Sequence, residues 1–529
     1  MGATVESNAG FVPFPAAIAA QAGARPGRTA FQVEGAAVTW QTLHERVTQA
    51  AQALVAEGVQ PGDRVAIIGF ASLAYIDCFF GAIAARACVV PLPASASAAA
   101  LRTMLQDSGA RILFIDPDTG DGIAALGAAL AQEGLRVVTF GEGGEDGADY
   151  LQWRARGSDA GTLLPEGRPE DPLNIIYSSG TTGTPKGIVH SHGMRQRQAS
   201  RKGFAFSAEG SSLLSTPMYS NTTIMPMLGS LANGGTTVLM RKFDAGRFLA
   251  MAATHRVTHT MLVPVQYKRI LAHAQFTPAG LSSLTLSQST GAPMDAALKR
   301  EIIARWPGRF LEVYGLTEGG VSCFLEPALH PDKLHTVGKP GHGTEVFLID
   351  EAGRRLPEDQ PGQTGELVGR SPFMMAGYHN RPDADAEIRW HDEAGHVYHR
   401  TGDIGRFDAD GFLVLLDRKK DVIISGGNNI YAADLEAVLL AHADVLEAAV
   451  IGVPSADWGE TPLALVVAKP GARLEAEALR TWANAQVGKT QRLSAIELRD
   501  ELPHSALGKL SKKELRAPYW RTPNTLAYP

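Results

Sequence analysis

Apolar residues along the first 140 positions follow two alternating rhythms. Leu43, Val47, Ala50 and Leu54 fall at steps of four, three and four, which stacks them on one face of a helix. Gly58 and the turn Pro61-Gly62-Asp63 close that helix, and residues 64–69 (RVAIIG) read as a buried strand. A second helix over about 72–87 leads into a strand at 88–92, and a third, from about Ala98, leads into 112–115. Strands separated by helices of this length predict parallel βα units with right-handed crossovers. The Ala/Ser-rich stretch 93–99 and the acidic, Gly-rich run 141–149 read as surface loops.

The C-terminal hundred-odd residues carry a different pattern. A helix at about 433–441, strands near 446–453 and 463–469, a helix near 475–486 and a strand at 495–498 are the inventory of a small α+β domain. Just before it, Asp417-Arg418-Lys419-Lys420-Asp421 interrupts two apolar strands, FLVLL and VIIS. Five consecutive charges there fit an exposed turn or an interdomain hinge, and charge alone favours the turn.

At 529 residues the chain has room for two to four domains at about 150 residues each. It can bury a core without disulfide or metal staples. Lys and Arg number 49 against 55 Asp and Glu, a net −6, so no global basic excess points to nucleic acid or an anionic membrane. Three cysteines, Cys78, Cys88 and Cys323, without a C-x-x-C pair, exclude a disulfide framework and a cysteine-based zinc site. The N-terminal MGATVESNAG lacks the basic and apolar regions of a signal peptide, and Glu6 breaks the myristoylation pattern. The most apolar stretch, 71–92, is interrupted by Asp77 and Arg86, which argues against a membrane span. These features predict a cytoplasmic enzyme without an integral membrane segment.

The most informative segment is 177–187, YSSGTTGTPKG, which follows an apolar strand at 173–177 and holds five Ser and Thr hydroxyls, three glycines and one lysine. Glycines let main-chain N–H groups approach a polyanion, hydroxyls add donors, and Lys186 adds a cation. The Walker pattern fails, because Pro185 precedes the lysine and Gly187 follows it.

This loop closely resembles the signature of the adenylate-forming superfamily, which includes acyl-CoA synthetases, beetle luciferases and peptide-synthetase adenylation domains. Four further motifs follow in the family's order: Tyr314-Gly315-Leu316-Thr317-Glu318, Thr401-Gly402-Asp403, the segment 417–430 (DRKKDVIISGGNNI), and Leu507-Gly508-Lys509-Leu510. The resemblance covers nearly the whole chain. It implies an α/β fold with a large N-terminal domain (1–417) of stacked α/β subdomains and a small β-barrel around 325–415. A hinge (418–421) and a small, mobile α+β C-terminal domain (422–529) follow.

The resemblance also implies roles. Ser178, Ser179, Gly180, Thr181, Thr182, Gly183, Thr184 and Lys186 would hold the β- and γ-phosphates of ATP. Tyr314 would stack on adenine beside Gly291-Ala292-Pro293, although a lone tyrosine is more often core. Thr317 would donate to the α-phosphate and Glu318 would reach Mg²⁺, a hard carboxylate for a hard cation. Asp403 would accept both ribose hydroxyls, with Arg418 adding a ribose or phosphate contact. Lys509 would be the catalytic cation, Lys420 the hinge, and Gly426 and Gly427 a narrow tunnel for the pantetheine of coenzyme A. Lys512, Lys513 and Arg516 read as a solvated basic face, and His190, His192 and His504 as structural.

Two departures stand out. Ser220 occupies the place where many members carry a gating histidine, and Asn428 replaces a glutamate in Ser425-Gly426-Gly427-Asn428-Asn429. Residues 211–230 contain no acid to hold an amino acid's ammonium group. The candidate acyl pocket, Tyr219, Ser220, Val263, Gln266 and Leu316 with Met218, Thr222 and Val321, is mostly apolar. That suits an aromatic, alicyclic or medium-chain carboxylic acid. Free coenzyme A is the expected acceptor. A ligase that loads a carrier protein is the rival within the class, and a non-catalytic ATP-binding relative the rival outside it. A homodimer stays open.

Overall fold

The structure, a computed structural model, describes residues 10–141, 148–158, 164–178, 185–358, 360–425, 428–455, 457–488, 491–504 and 510–520. Ser179 through Thr184, Gly426, Gly427 and Lys509 therefore lie outside the described residues. The chain forms two compact units: Met1–Leu334 with His342–Thr344 and Arg370–Arg389, and His335–Gly341 with Glu345–Gly369 and Trp390–Pro529.

The first unit holds two sheets. In one, the strands run in the order Gly377–Tyr378, Lys186–Ser191, Pro172–Ser178, Cys88–Leu92, Arg64–Ile68, Ile112–Ile115 and Arg136–Thr139. Pairing is parallel from 172–178 outward to 136–139 and antiparallel at the other end. Alternation sends Val65 and Ile67 into one core, with helices Trp40–Ala56 and Leu73–Ala84. Ala66 and Ile68 enter another core, with helix Ala98–Ser108. Burial on both faces is why RVAIIG reads as a continuous apolar run.

The second sheet runs Ser322–Leu325, Arg309–Gly315, Leu286–Ser289, His259–Leu262, Ser211–Leu214, Thr236–Leu239, Thr29–Val33 and Ala36–Thr39. It is parallel except at the 313/324 and 31/38 pairings. Helix Asn221–Ala232 packs through Ile224, Met227 and Leu228 into the core that also holds helices 40–56 and 73–84. Helices Ala245–Thr254, Pro264–Leu271 and Ala296–Arg305 cover the other face.

Three expectations shift at their edges. The helix expected over 72–87 is Leu73–Ala84, capped by Ser72, whose Oγ accepts from Tyr75 N. It stops early because Arg86 turns into the left-handed region (φ +59°), where its guanidinium grips Asp171 at 2.7 Å. The loop expected at 93–99 gives way to helix at Ala98, with Ser97 as cap. The run 141–149 overlaps helix Ala148–Ser158. Asp77, the charge inside the apolar stretch, is fully buried. It is held there by Arg46 at 2.6 Å, Arg154 at 3.2 Å and the Tyr150 hydroxyl at 2.7 Å. Among the described residues no helix is long and apolar enough to cross a membrane.

The second unit contains an antiparallel sheet of Glu345–Ile349, Gly365–Arg370, Val397–Phe407, Arg389–His391 and Leu413–Arg418. Phe347, Ile349, Val368 and Tyr398 form its core. The C-terminal part follows, with Val445–Ser455 and Gly459–Ala468 paired along their length and Ala495–Arg499 parallel to the latter. Helices Ala432–Leu440 and Ala476–Asn484 cover one face, while Leu502 and Tyr519 contribute to the other. The solvated basic face expected of Lys512, Lys513 and Arg516 holds for the exposed Lys513 and is corrected for the other two. Lys512 pairs with Glu436 at 2.9 Å, and Arg516 with Asp421 at 2.8 Å, so both cations are neutralised within the unit.

Candidate active site

In parallel α/β sheets, ligands gather beyond the carboxyl ends of the strands. In the second sheet of the first unit those ends carry the predicted residues in turn. Tyr219 and Ser220 follow 211–214, Val263 follows 259–262, Gly291-Ala292-Pro293 follows 286–289, and Tyr314 through Glu318 close 309–315. Gly291 takes φ +90° and abuts Val263, its would-be Cβ 3.4 Å from Val263 Cγ1. A larger residue there would be strained by its own backbone.

The turn after Tyr314 is fixed by its main chain. His190 Nε2 lies 2.8 Å from the Thr317 carbonyl, Met375 N donates to the Glu318 carbonyl at 2.9 Å, and Ser371 Oγ donates to the Gly319 carbonyl. Three successive carbonyls are thus anchored from outside. Gly319 is required, because at φ +78° a Cβ would stand 1.8 Å from the Phe373 carbonyl oxygen. The anchoring leaves the Thr317 hydroxyl and Glu318 carboxylate to be aimed as side chains from a rigid support.

His190 belongs to a buried polar cluster. Its Nδ1 lies 3.1 Å from Arg195 Nη2 and 3.2 Å from Asn174 Nδ2. Arg195 also donates to Asn174 Oδ1, Gln198 Oε1 and Asn221 Oδ1. Burial first, and the Arg195 charge second, push the His190 imidazole well below its ordinary range, so it is neutral. A neutral ring that accepts at Nδ1 must carry its proton on Nε2, the tautomer that donates to Thr317. Burial also brings the Arg195 guanidinium down to about 9. His190 is structural, as expected, but what it holds is the candidate site. His192 sits in the core, accepting from Phe14 N at 3.1 Å and stacked on its ring. His504 bonds locally, to the Leu502 carbonyl.

The phosphate-loop ends are pinned as a hairpin, with Ser178 paired to Lys186 and Tyr177 to Gly187. Lys186 Nζ lies 5.1 Å from the centroid of the Tyr378 ring and 3.9 Å from Glu387. The Tyr378 hydroxyl donates to Glu318 Oε1 at 2.9 Å. One tyrosine therefore links the loop lysine to the candidate metal-binding acid. Burial first and Glu318 second hold the Tyr378 hydroxyl above its usual range, so it stays protonated and donates. Sequence reading missed Tyr378, because its ties to residues sixty and nearly two hundred positions away leave no local signal.

Two acyl-pocket candidates are already engaged. Ser220 is buried and caps helix 221–232, its Oγ accepting from Thr222 N at 3.2 Å. Gln266 accepts from Val263 N and donates to Ser215 Oγ. Val263 is buried, and Tyr219 and Leu316 are half-buried.

In the second unit, Asp403 is buried on strand 397–407. Its Oδ1 lies 3.1 Å from Arg418 Nε, and its N–H donates to Thr401 Oγ1 at 3.0 Å. Gly402 adopts φ +70° and its carbonyl accepts from Lys419 N. Burial works to raise the Glu366 carboxyl, but Arg400 and Lys419 outweigh it and hold it low. The charged run therefore has assigned partners: Arg418 to Asp403, Lys419 to Glu366 at 3.0 Å, Asp421 to Arg516. Lys420 is bound through its carbonyl, which accepts from Arg516.

The AMP-binding enzyme family model matches residues 18–379, and that of the AMP-binding enzyme C-terminal domain matches 434–509. A feruloyl-CoA synthase of Amycolatopsis sp is 34% identical over 93% of this chain and 96% of its own length. The fatty acid–[acyl-carrier-protein] ligase ScoC of Streptomyces coeruleorubidus is 32% identical over 94% of each chain. The crystal structure of ATP-bound MatB from Rhodopseudomonas palustris superposes with a TM-score of 0.85 at 28% identity, covering 96% of this chain and 99% of that one.

Proposed function

This chain belongs to the AMP-binding enzyme family, and from that premise we propose that it is an acid–thiol ligase acting through an acyl-adenylate. A carboxylate is a poor electrophile, so it needs a leaving group before a thiol can attack. One of its oxygens attacks the α-phosphorus of ATP, the bond to the bridging oxygen breaks, and pyrophosphate leaves with the electron pair. The thiolate of coenzyme A then attacks the acyl carbon of the mixed anhydride, and AMP leaves. Such transfers need positioning and charge neutralisation rather than covalent help from the protein. The observation that carries this reading is the Thr317–Glu318 turn, anchored by three consecutive carbonyls at the carboxyl end of the sheet.

Thr317 donates to the α-phosphate, Lys186 and the loop it ends cradle the β- and γ-phosphates, and Asp403 with Arg418 reads the ribose. Glu318 fits Mg²⁺. Its Oε1 accepts from Tyr378, and among the described residues nothing hydrogen-bonds Oε2. Mg²⁺ on nucleotides takes one or two protein carboxylates and completes its shell with phosphate and water. When bound, it neutralises phosphate charge. A rotation of the chain about 418–421, which lies inside the second compact unit, with Lys420 as pivot, lets the C-terminal residues Lys509, Gly426 and Gly427 serve the two half-reactions in turn. The acid is aromatic, alicyclic or of medium chain length.

Two predictions arise directly. Incubation with ATP, Mg²⁺, coenzyme A and a panel of carboxylic acids should release AMP in step with acyl-CoA seen by mass spectrometry. Release of ADP would exclude the adenylate route. Release of AMP only with an acyl-carrier protein would favour the second reading, supported by the similarity to ScoC. Tyr378→Phe keeps the ring under Lys186 but removes the donor to Glu318. Hydrogen bonds to charged groups contribute about 1.5–3 kcal/mol, so kcat/KM for adenylation should fall roughly tenfold to a hundredfold with an unchanged melting temperature. Unaltered kinetics would remove Tyr378 from the site.

A further inference from the structure

Arg195 is a buried cation that the chemistry above does not use. It is fully buried on helix His192–Ala199, and the groups it bonds are neutral. Its Nε donates to Asn174 Oδ1 at 3.0 Å, its Nη1 to Gln198 Oε1 at 2.8 Å and to Asn221 Oδ1 at 2.7 Å, and its Nη2 to His190 Nδ1 at 3.1 Å. Among the described residues no carboxylate pairs with it, and burial is what shifts its guanidinium. Elsewhere in the same unit Arg46 and Arg154 hold the buried Asp77, Arg86 grips Asp171, and Arg241 meets Asp116 and Asp118. A buried charge without a counter-charge is costly, so the missing anion is what needs a cause.

The hydrogen bonds lead the charge toward the candidate nucleotide turn. His190 is itself fully buried and neutral. It accepts from Arg195 at Nδ1 and donates from Nε2 to the Thr317 carbonyl at 2.8 Å. Bonds in such a chain polarise one another. The guanidinium draws electron density from the ring, the Nε2–H becomes a stronger donor, and positive potential reaches the Thr317 peptide. Asn221 is the first residue of helix Asn221–Ala232, so the positive end of that helix dipole faces the same cluster and adds to its potential. Two hydrogen bonds and one imidazole ring separate the guanidinium from the Thr317 carbonyl. At about 10 Å inside a protein, a unit charge still changes the binding of an anion by roughly tenfold.

Resting on the acid–thiol ligase reading, we propose that Arg195 is a positioning residue for the α-phosphate: its charge, left without a carboxylate in the protein and carried through His190 to the Thr317 turn, is compensated by the nucleotide. The α-phosphate is the group that ATP, the acyl-adenylate and AMP share, so Arg195 favours all three and has no hold on adenosine. A buried charge fixed by four hydrogen bonds is already in place when the ligand arrives, with no reorganisation to make.

The test uses the full-length enzyme and isothermal titration with AMP, whose one phosphate is the α-phosphate, and with adenosine, which has none. Gln198→Glu exchanges an amide nitrogen for oxygen and supplies the missing carboxylate to Arg195 while keeping its bond. It should weaken AMP binding about fivefold or more and leave adenosine binding unchanged. The variant should melt at or above the wild-type temperature, since the buried cation gains a partner; a marked fall would show that Arg195 is already compensated and would overturn the proposal. Arg195→Met should narrow the AMP-to-adenosine ratio in the same way, and Arg195→Lys, which keeps a cation, should recover most of it. Arg195→Met leaves several buried acceptors without a donor, so the milder Gln198→Glu carries the decision. An unchanged ratio in Gln198→Glu, or an equal loss of AMP and adenosine, would overturn the proposal and leave the ligase reading intact. A wild-type enzyme that binds neither AMP nor ATP would overturn both.

Discussion

Lys509→Ala should lower acyl-AMP formation by about two or more orders of magnitude, as losing a charge partner of the transition state does, and should leave thioester formation from pre-made acyl-AMP almost intact. As the carboxylate oxygen bonds to the α-phosphorus, negative charge gathers between two anions, and a cation there stabilises the transition state more than the ground state. Lys509 is assigned by the resemblance of Leu507-Gly508-Lys509-Leu510 to the family motif and lies outside the described residues. Its flanks are well held. His504 and Leu510 form an antiparallel bridge, and helix Lys512–Trp520 is tied down by the pairs Lys512–Glu436 and Arg516–Asp421. Removing one side chain between these anchors should not unfold the domain. Lys420→Pro is the counterpart. Proline fixes φ near −65° in a turn where Asp421 N and Val422 N both donate to the Arg418 carbonyl. Adenylation should survive and thioester formation should fail. If both variants lose both half-reactions equally, the two-step division of labour is wrong.

Asp403→Ala should raise the KM for ATP roughly a hundredfold and depress adenylation, since the lost bonds from ribose to a charged acceptor are together worth about 3 kcal/mol. The stability cost should be small, because the Arg418 side chain is 37% exposed and can turn to water once its partner is gone. Isothermal titration with ATP and a thermal melt separate the two effects. Unaltered ATP binding would show that Thr401-Gly402-Asp403 is an ordinary turn.

Much of this was written in local pattern. The βα alternation and the parallel core strands follow from spacing that any short window reveals. The motif residues Tyr314 to Glu318 and Asp403 were visible because their neighbours in sequence are part of the same turn. What escaped is held together across the chain. The His190 bond to Thr317 spans 127 positions, and nothing beside His190 distinguishes a core histidine from one that steadies a functional turn. Ser220 could be read as a missing gate, yet its hydroxyl has a local task as a helix cap. Lys512 and Arg516 looked solvated only because Glu436 and Asp421 meet them through the fold. The charged run 417–421 was ambiguous for the same reason, since Glu366, Asp403 and Arg516 lie far from it in sequence.

The central claim is that this protein makes an acyl-adenylate, and the direct measurement is incorporation of radiolabelled pyrophosphate into ATP without coenzyme A. The expected result is label in ATP only when a carboxylic acid is present, at a rate that Lys509→Ala reduces by about two or more orders of magnitude. Binding of ATP with no exchange for any acid in the panel would contradict it, and would make the protein a nucleotide-binding relative that does not catalyse adenylation.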